Sequence, residues 1–182
     1  MRNEEALSLA INHLRTNWFE PNVGIVAATL VDDDAVITAT SRYIPELNTW
    51  MHAEAATLHD FWQQYRRLPG PSSQITVTLS PCVSESSSTR YGDSCSHLLR
   101  DTGIGQVNFG WLDTKQTKDV SAYKKFGIEA KLVPDLELQR ISHNIYDLFN
   151  TLYGPNAEFA YLLGSINPWK AIKEVIGLAP FE

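Results

Sequence analysis

His52-Ala53-Glu54, followed by Pro81-Cys82 and then by Cys95, sets out the residue types of a catalytic metal centre in one order along the chain. One imidazole and two thiolates form a ligand set that zinc favours, with a fourth position left for water. A coordinated water ionises near pH 7, so hydroxide becomes available as a nucleophile at neutral pH. Glu54, two residues from the imidazole, is the candidate to move protons without binding the metal. These roles describe hydrolytic replacement of an exocyclic amine by a carbonyl better than they describe a structural zinc site.

A blander reading has to be weighed against this. His-x-Glu recurs by chance, and two cysteines also serve as small buried hydrophobes or as a disulfide. Yet the chain has two cysteines in all, and both fall inside the motif, Cys82 directly after a strand-like run. His52 and Cys95 each open a helix-like segment, and helix N-termini favour thiolates. The spacing is unusual in one respect: twelve residues (83–94) separate the cysteines, where the short form of the signature has two. The other histidines fit less well. His59 lies two helical turns beyond His52, about 10 Å along the axis, too far to share one metal. His97 points away if Cys95 opens a helix, and His13 and His143 have no companion motif. Trp50, just before the candidate ligand, is expected to line the pocket and stack on a flat ring.

The elements that must position these groups are legible as patterns. Ala6, Leu7, Ala10, Ile11 and Leu14 have helical spacing over residues 4–17. Residues 23–31 read as a buried strand, Asp32-Asp33-Asp34 as a turn, and residues 35–41 as the returning strand of a hairpin. A helix is expected over 52–66, a loop over 69–73, and a third strand over 75–79 that delivers Cys82. The serine-rich segment 84–92 reads as a loop. Residues 95–101 read as a helix closed by Gly103. Then follow a strand over 106–111, a helix over 119–126 ended by Gly127, a strand over 128–133, and a helix over 135–152 with Asp135 favouring its N-terminus. One or two further helices are expected after Pro155 and Pro168. The sum is an α/β protein: a three-layer α/β/α sandwich around a mixed five-stranded sheet.

Composition bounds the partners. At 182 residues, with 43% hydrophobic and 20% charged residues, the chain has the make-up of one globular domain. Residues 1–182 are read as a single domain, with a core over about 4–135 and a helical C-terminal extension over about 136–182. The start Met1-Arg2-Asn3-Glu4-Glu5 lacks the pattern of a signal peptide, and no run is long enough to span a membrane. Cysteines that hold a metal need a reducing compartment, so a cytoplasmic location is expected. A net charge of −6 disfavours a broad nucleic-acid-binding surface. The expected partner is instead a small nucleobase-like substrate. The apolar stretch Trp169–Leu178 is suited to packing on a neighbour or on its own body, and a homo-oligomer, a dimer, is expected.

Order and spacing together resemble the cytidine deaminase-like superfamily, and are most similar to the pyrimidine deaminase of riboflavin synthesis. The resemblance is carried by Pro21-Asn22-Val23-Gly24, His52-Ala53-Glu54-Ala55, Leu79-Ser80-Pro81-Cys82, Cys95 with Leu98-Leu99, Gly103-Ile104-Gly105-Gln106-Val107 and Phe126-Gly127-Ile128-Glu129. Gly110-Trp111-Leu112-Asp113 is closer to tRNA adenosine deaminases. The resemblance spans roughly residues 4–135, and implies a cytidine deaminase-like fold and a Zn2+ cofactor. It also implies His52, Cys82 and Cys95 as ligands and Glu54 as catalytic proton shuttle. Asn22 matches a family asparagine that contacts the sugar-like part of the substrate. The N–H after Pro81 and the Ala53 peptide correspond to main-chain groups that position amine and water. Two departures set the chain apart: the riboflavin enzymes usually carry a reductase domain, and their intercysteine loop is basic and proline-rich, unlike Ser84–Ser94. Arg90 in that loop is available to a phosphate or carboxylate, or to solvent. The expected activity is zinc-dependent hydrolytic deamination of a pyrimidine-type or related heterocycle, as free base, nucleoside or nucleotide. The rival readings are deamination of a base within RNA or DNA, for editing or as a toxin, and a catalytically silent deaminase-fold binding protein.

Overall fold

A computed structural model describes residues 1–17, 20, 22–83, 94–115 and 117–153, with side chains up to residue 147. The loop expected over 84–92, with Arg90, lies outside these residues. So do the expected helices after Pro155 and Pro168, with the stretch Trp169–Leu178.

Helix α1 (Asn3–Asn17) leads into strand β1 (Val23–Asp32), whose run of buried residues is the apolar stretch seen in the sequence. Strand β2 (Ala35–Ile44) returns antiparallel to it, with Asp32 opposite Ala35. A 3-10 turn (Pro45–Leu47) and a three-residue strand β3 (Thr49–Met51) follow. Helix α2 (Ala53–Tyr65) then leads to β4 (Gln74–Leu79), α3 (Cys95–Asp101) and β5 (Gln106–Trp111). A 3-10 segment (Val120–Phe126), β6 (Glu129–Leu132) and α4 (Leu136–Tyr153) complete the order.

The strands form one sheet in the order β3-β2-β1-β4-β5-β6. The four strands on the hairpin side pair antiparallel, whereas β4, β5 and β6 run parallel. The sheet therefore has six strands rather than five. The sixth, β3, is too short to show a period-two pattern and exists because β2 supplies its hydrogen-bond partner, Arg42 opposite Met51. The segment over 120–126 is likewise a 3-10 helix where an ordinary helix was expected, a distinction that apolar spacing over seven residues does not carry.

Two apolar clusters make the layers. Ala28, Leu30, Ile75, Val77, Val107 and Phe109 pack one sheet face against Leu58 and Phe61 of α2, Leu99 of α3 and Tyr123. Ile25 and Ala27 pack the other face against Leu7, Ala10, Ile11 and Leu14 of α1 and Ile141 and Ile145 of α4. The expected three-layer arrangement is thus present. Helix α3 ends at Gly103, whose φ of 83° is the left-handed conformation that closes a helix, with Ile104 N–H donating to the Leu99 carbonyl at 2.9 Å. Among the described residues no helix is long and apolar enough to cross a membrane.

Candidate metal centre

Because β1 and β4 are antiparallel, with Val31 opposite Gln74, the start of β1 and the end of β4 share one end of the sheet. At that end the chain leaves β4 and reaches Pro81 and Cys82. Arg42 lies opposite both Val23 and Met51, so His52 enters α2 from the same end. His52 occupies the N-cap of α2 with extended backbone (φ −66°, ψ 157°), and Ser94 holds the same place at α3, which makes Cys95 the first residue of that helix. Two helix N-termini thus meet at the carboxyl end of β4.

The expected ligands converge. The ligand atoms of His52, Cys82 and Cys95 all lie within 4.8 Å of one another. His52 Nδ1 is 3.2 Å from Cys95 Sγ and 3.9 Å from Cys82 Sγ. A tetrahedral zinc, with bonds of about 2.1 Å to nitrogen and about 2.3 Å to sulfur, holds neighbouring ligand atoms roughly 3.6–3.8 Å apart. Both the donor set and its spacing therefore fit that ion. The main chain is arranged for a charged sulfur as well, since Cys95 N–H donates to Cys82 Sγ at 3.1 Å.

Glu54 lies on the first turn of α2 with 3% of its surface exposed. Burial pushes its pKa up to about 7, against the pull of His52 and with a push from Cys82. The Cys82 sulfur raises the His52 pKa more than burial lowers it. The Cys95 thiol is raised well above its ordinary value by Cys82, by burial and by Glu54. Each shift shows negative charge crowded into a dry pocket, which a dication at the same point would relieve.

The remaining expected residues lie at the same end with different degrees of engagement. Ala53 is fully buried, and its carbonyl accepts from Thr57 Oγ1 at 2.7 Å. The Pro81 carbonyl accepts from Tyr123 Oη at 2.6 Å. Trp50 is 38% exposed and lies 5.6 Å from the Tyr43 ring. A Cβ at Gly24 would come within 3.0 Å of the Trp50 ring and into the Ser41 hydroxyl, so a glycine on β1 makes room for the indole. Asn22 is exposed with φ 66°, and its carbonyl accepts from Tyr43 N–H at 2.7 Å; its backbone thus also does the work of a turn residue. His59 faces Arg42 at 3.1 Å, and His97 bonds Ser94 Oγ at 3.0 Å with its ring edge-on to Phe126, so neither joins the cluster.

Residues 1–111 match the cytidine and deoxycytidylate deaminase zinc-binding region, which takes in the candidate ligands and Glu54. The chain belongs to this zinc-binding deaminase family. It is accordingly a zinc-dependent deaminase, a hydrolase of the cytidine deaminase-like fold. The dCMP deaminase of the cyanophage S-TIM5 superposes with a TM-score of 0.52 at 16% identity, over 73% of this chain and 100% of that one. A diaminohydroxyphosphoribosylaminopyrimidine deaminase/5-amino-6-(5-phosphoribosylamino)uracil reductase from Thermotoga maritima superposes with a TM-score of 0.60 at 20% identity, over 82% of this chain and 40% of that one. A tRNA:A34 deaminase structure gives 0.53 at 22% identity, over 71% of this chain and 98% of that one. At these identities the likeness is one of fold. No curated protein is similar enough in sequence to count as a match.

Three hydrogen-bonded groups in this deaminase's site were given no role by the sequence. Ser96 donates to the Cys82 carbonyl from both N–H (3.1 Å) and Oγ (2.9 Å). Asp113 N–H donates to Ser80 Oγ at 2.9 Å. Tyr123, fully buried and with its phenol pKa raised by burial, holds Pro81. Each is an ordinary residue type in an ordinary context, and only its partner gives it a role.

Proposed function

We propose that the chain removes an exocyclic amine from a pyrimidine-type or related heterocycle, as free base, nucleoside or nucleotide, with His52, Cys82 and Cys95 holding zinc. Bound at those three atoms, zinc supplies an ionisable water as the nucleophile. The proton traffic belongs to Glu54. Its buried carboxyl takes protons from the water and passes them on, first towards the ring nitrogen and then towards the departing amine. Overall, water and the amine-bearing ring become a carbonyl and ammonia.

The observation that carries the reading is a buried carboxyl, Glu54, two residues from the histidine of a converged His52, Cys82 and Cys95 cluster. A silent scaffold has no use for so costly a group. Trp50 offers an indole face to a flat ring, and Asn22, at the same end, is assigned the sugar-like part. The Ala53 peptide and the N–H following Pro81 are assigned the water and the amine. Buried thiols used as ligands suit a reducing compartment such as the cytoplasm, and a homodimer is the assembly proposed.

Ammonia release from a panel of free bases, nucleosides, nucleotides and oligonucleotides tests the reading. Turnover of a small substrate that is lost in Glu54→Gln, with zinc retained, is the expected result. Reaction with oligonucleotides alone would replace it with a base-editing activity. Zinc binding with turnover of nothing in the panel would favour a binding protein.

A further inference from the structure

Cys82 stands in the loop between β4 and α3, where no strand ladder holds the backbone, yet a ligand sulfur must be placed to a few tenths of an ångström. The two carbonyls that flank its Cα are both captured. On one side the Pro81 carbonyl accepts from Tyr123 Oη at 2.6 Å. On the other the Cys82 carbonyl accepts from Ser96 N–H at 3.1 Å and Ser96 Oγ at 2.9 Å. Fixing both peptide planes fixes φ and ψ of the residue between them. We infer that Tyr123 and Ser96 form a clamp of positioning residues that sets the Cys82 sulfur for the metal, an inference that rests on the zinc reading above.

The surroundings support a clamp rather than incidental bonding. Tyr123 and Ser96 are both fully buried, so neither hydroxyl trades its partner for bulk water. Proline lacks an N–H, and residue 81 presents the sheet end with an acceptor only. A phenylalanine at 123 would fill the same space and leave that acceptor without its donor. The tyrosine is itself held from several directions. Its ring lies 6.3 Å from that of Phe109, and its carbonyl accepts from Ile128 N–H at 3.3 Å. The 3-10 segment that carries it is capped by Asp119, which accepts from Ser121 N–H at 2.6 Å, and is closed by Gly127 with φ 71°. Upstream, Ser80 is tied to β5 through its N–H, which donates to the Trp111 carbonyl at 2.8 Å, and through its Oγ, which accepts from Asp113. The loop therefore enters Cys82 from a pinned residue, and the carbonyl of Cys82 is itself pinned.

The test compares Tyr123→Phe and Ser96→Ala with Thr29→Val, which removes a buried hydroxyl that bonds the Thr38 hydroxyl at 3.0 Å between β1 and β2, away from the metal ligands. Three quantities are read: zinc affinity by competition with a chromophoric chelator, the d–d absorption of the Co2+-substituted protein, and ammonia release. Tyr123→Phe and Ser96→Ala are each expected to weaken zinc binding about 10- to 100-fold and to shift the cobalt bands, as losses of groups that orient ligands do. Thr29→Val is expected to lower thermal stability while leaving affinity and spectrum unchanged. Unchanged zinc affinity and an unchanged cobalt spectrum in both clamp variants would overturn the inference while leaving the zinc reading intact. If Tyr123→Phe does not fold, Ser96→Ala decides alone by the same two readouts. A wild-type protein that binds no zinc would overturn the reading beneath, and the clamp with it.

Discussion

Two carboxylates are buried at opposite ends of one sheet, and their environments drive them in opposite directions. Asp32, at the far end of β1, has a fully buried side chain that accepts from two donors, Gly70 N–H at 2.7 Å and the Ser73 hydroxyl, and forms an ion pair with Arg67 at 2.6 Å. Burial alone would raise its pKa, but Ser73, Gly70 and Arg67 outweigh that and leave it lowered. Glu54, at the metal end, is as dry, has no arginine among the groups acting on it, and rises to about 7. Helix α2 joins the two ends, with Glu54 on its first turn and Arg67 just past its last residue. A buried charge that the protein itself neutralises is a structural part. A buried charge left for something else to neutralise marks a working site.

The comparison is easiest to break at Glu54. Glu54→Gln is expected to lower turnover about 10³-fold or more while zinc content stays the same, measured by ammonia release and metal analysis. Near-normal turnover in that variant would remove the basis for treating the two ends differently. Cys95→Ser should lose most bound zinc and the activity with it, yet leave the Asp32 end folded, as native-state hydrogen exchange at Gly70 and Ser73 would show.

Asp32→Ala should do the reverse. It is expected to cost about 2–4 kcal/mol in chemical denaturation, because two donors lose their acceptor and Arg67 its counter-ion, while kcat at low temperature stays near wild type. The pH dependence has a definite sign. A lowered carboxyl pKa contributes stability in full above the unfolded value, near 3.8, and loses it as pH falls through the folded value, so the Asp32→Ala deficit should shrink in strong acid.

For Glu54 the sign is opposite. In the metal-free protein the folded state keeps its proton to about pH 7, whereas the unfolded chain releases it near 4.5. Stability therefore falls as pH rises across that window, and Glu54→Gln should raise metal-free stability by about 2 kcal/mol at pH 7 and by less at pH 5. Arg67→Ala is the smallest expected effect, under about 1 kcal/mol, because that side chain is half exposed and the ion pair is screened. A loss as large as that of Asp32→Ala would mean that the far end depends on the ion pair more than on its neutral donors.

Much of the site could be read before any fold was known. Zinc chemistry permits few residue types, and a histidine, two cysteines and a nearby glutamate in this order leave little else for them to do together. Helix α2 and strand β1 were equally legible, since 3.6- and near-continuous apolar patterns are local properties. The short strand β3 was not. Three residues carry no period, and its partner Arg42 is set by the turn at Pro45–Leu47. Trp50 illustrates the middle case: the indole was singled out by its place in the chain, but its seat over Gly24 depends on β3 and β1 both pairing with β2.

The sequence by itself determined which atoms are able to bind a metal and which carboxyl is able to carry a proton, because those abilities belong to side-chain chemistry and to order along the chain. Only the tertiary structure decided that Asp32 would be quieted and Glu54 left strained, and that Tyr123 and Ser96 would grip the loop around Cys82. Desolvation and hydrogen-bond partnership arise between residues tens of positions apart, Tyr123 and Pro81 among them, and no local pattern encodes them.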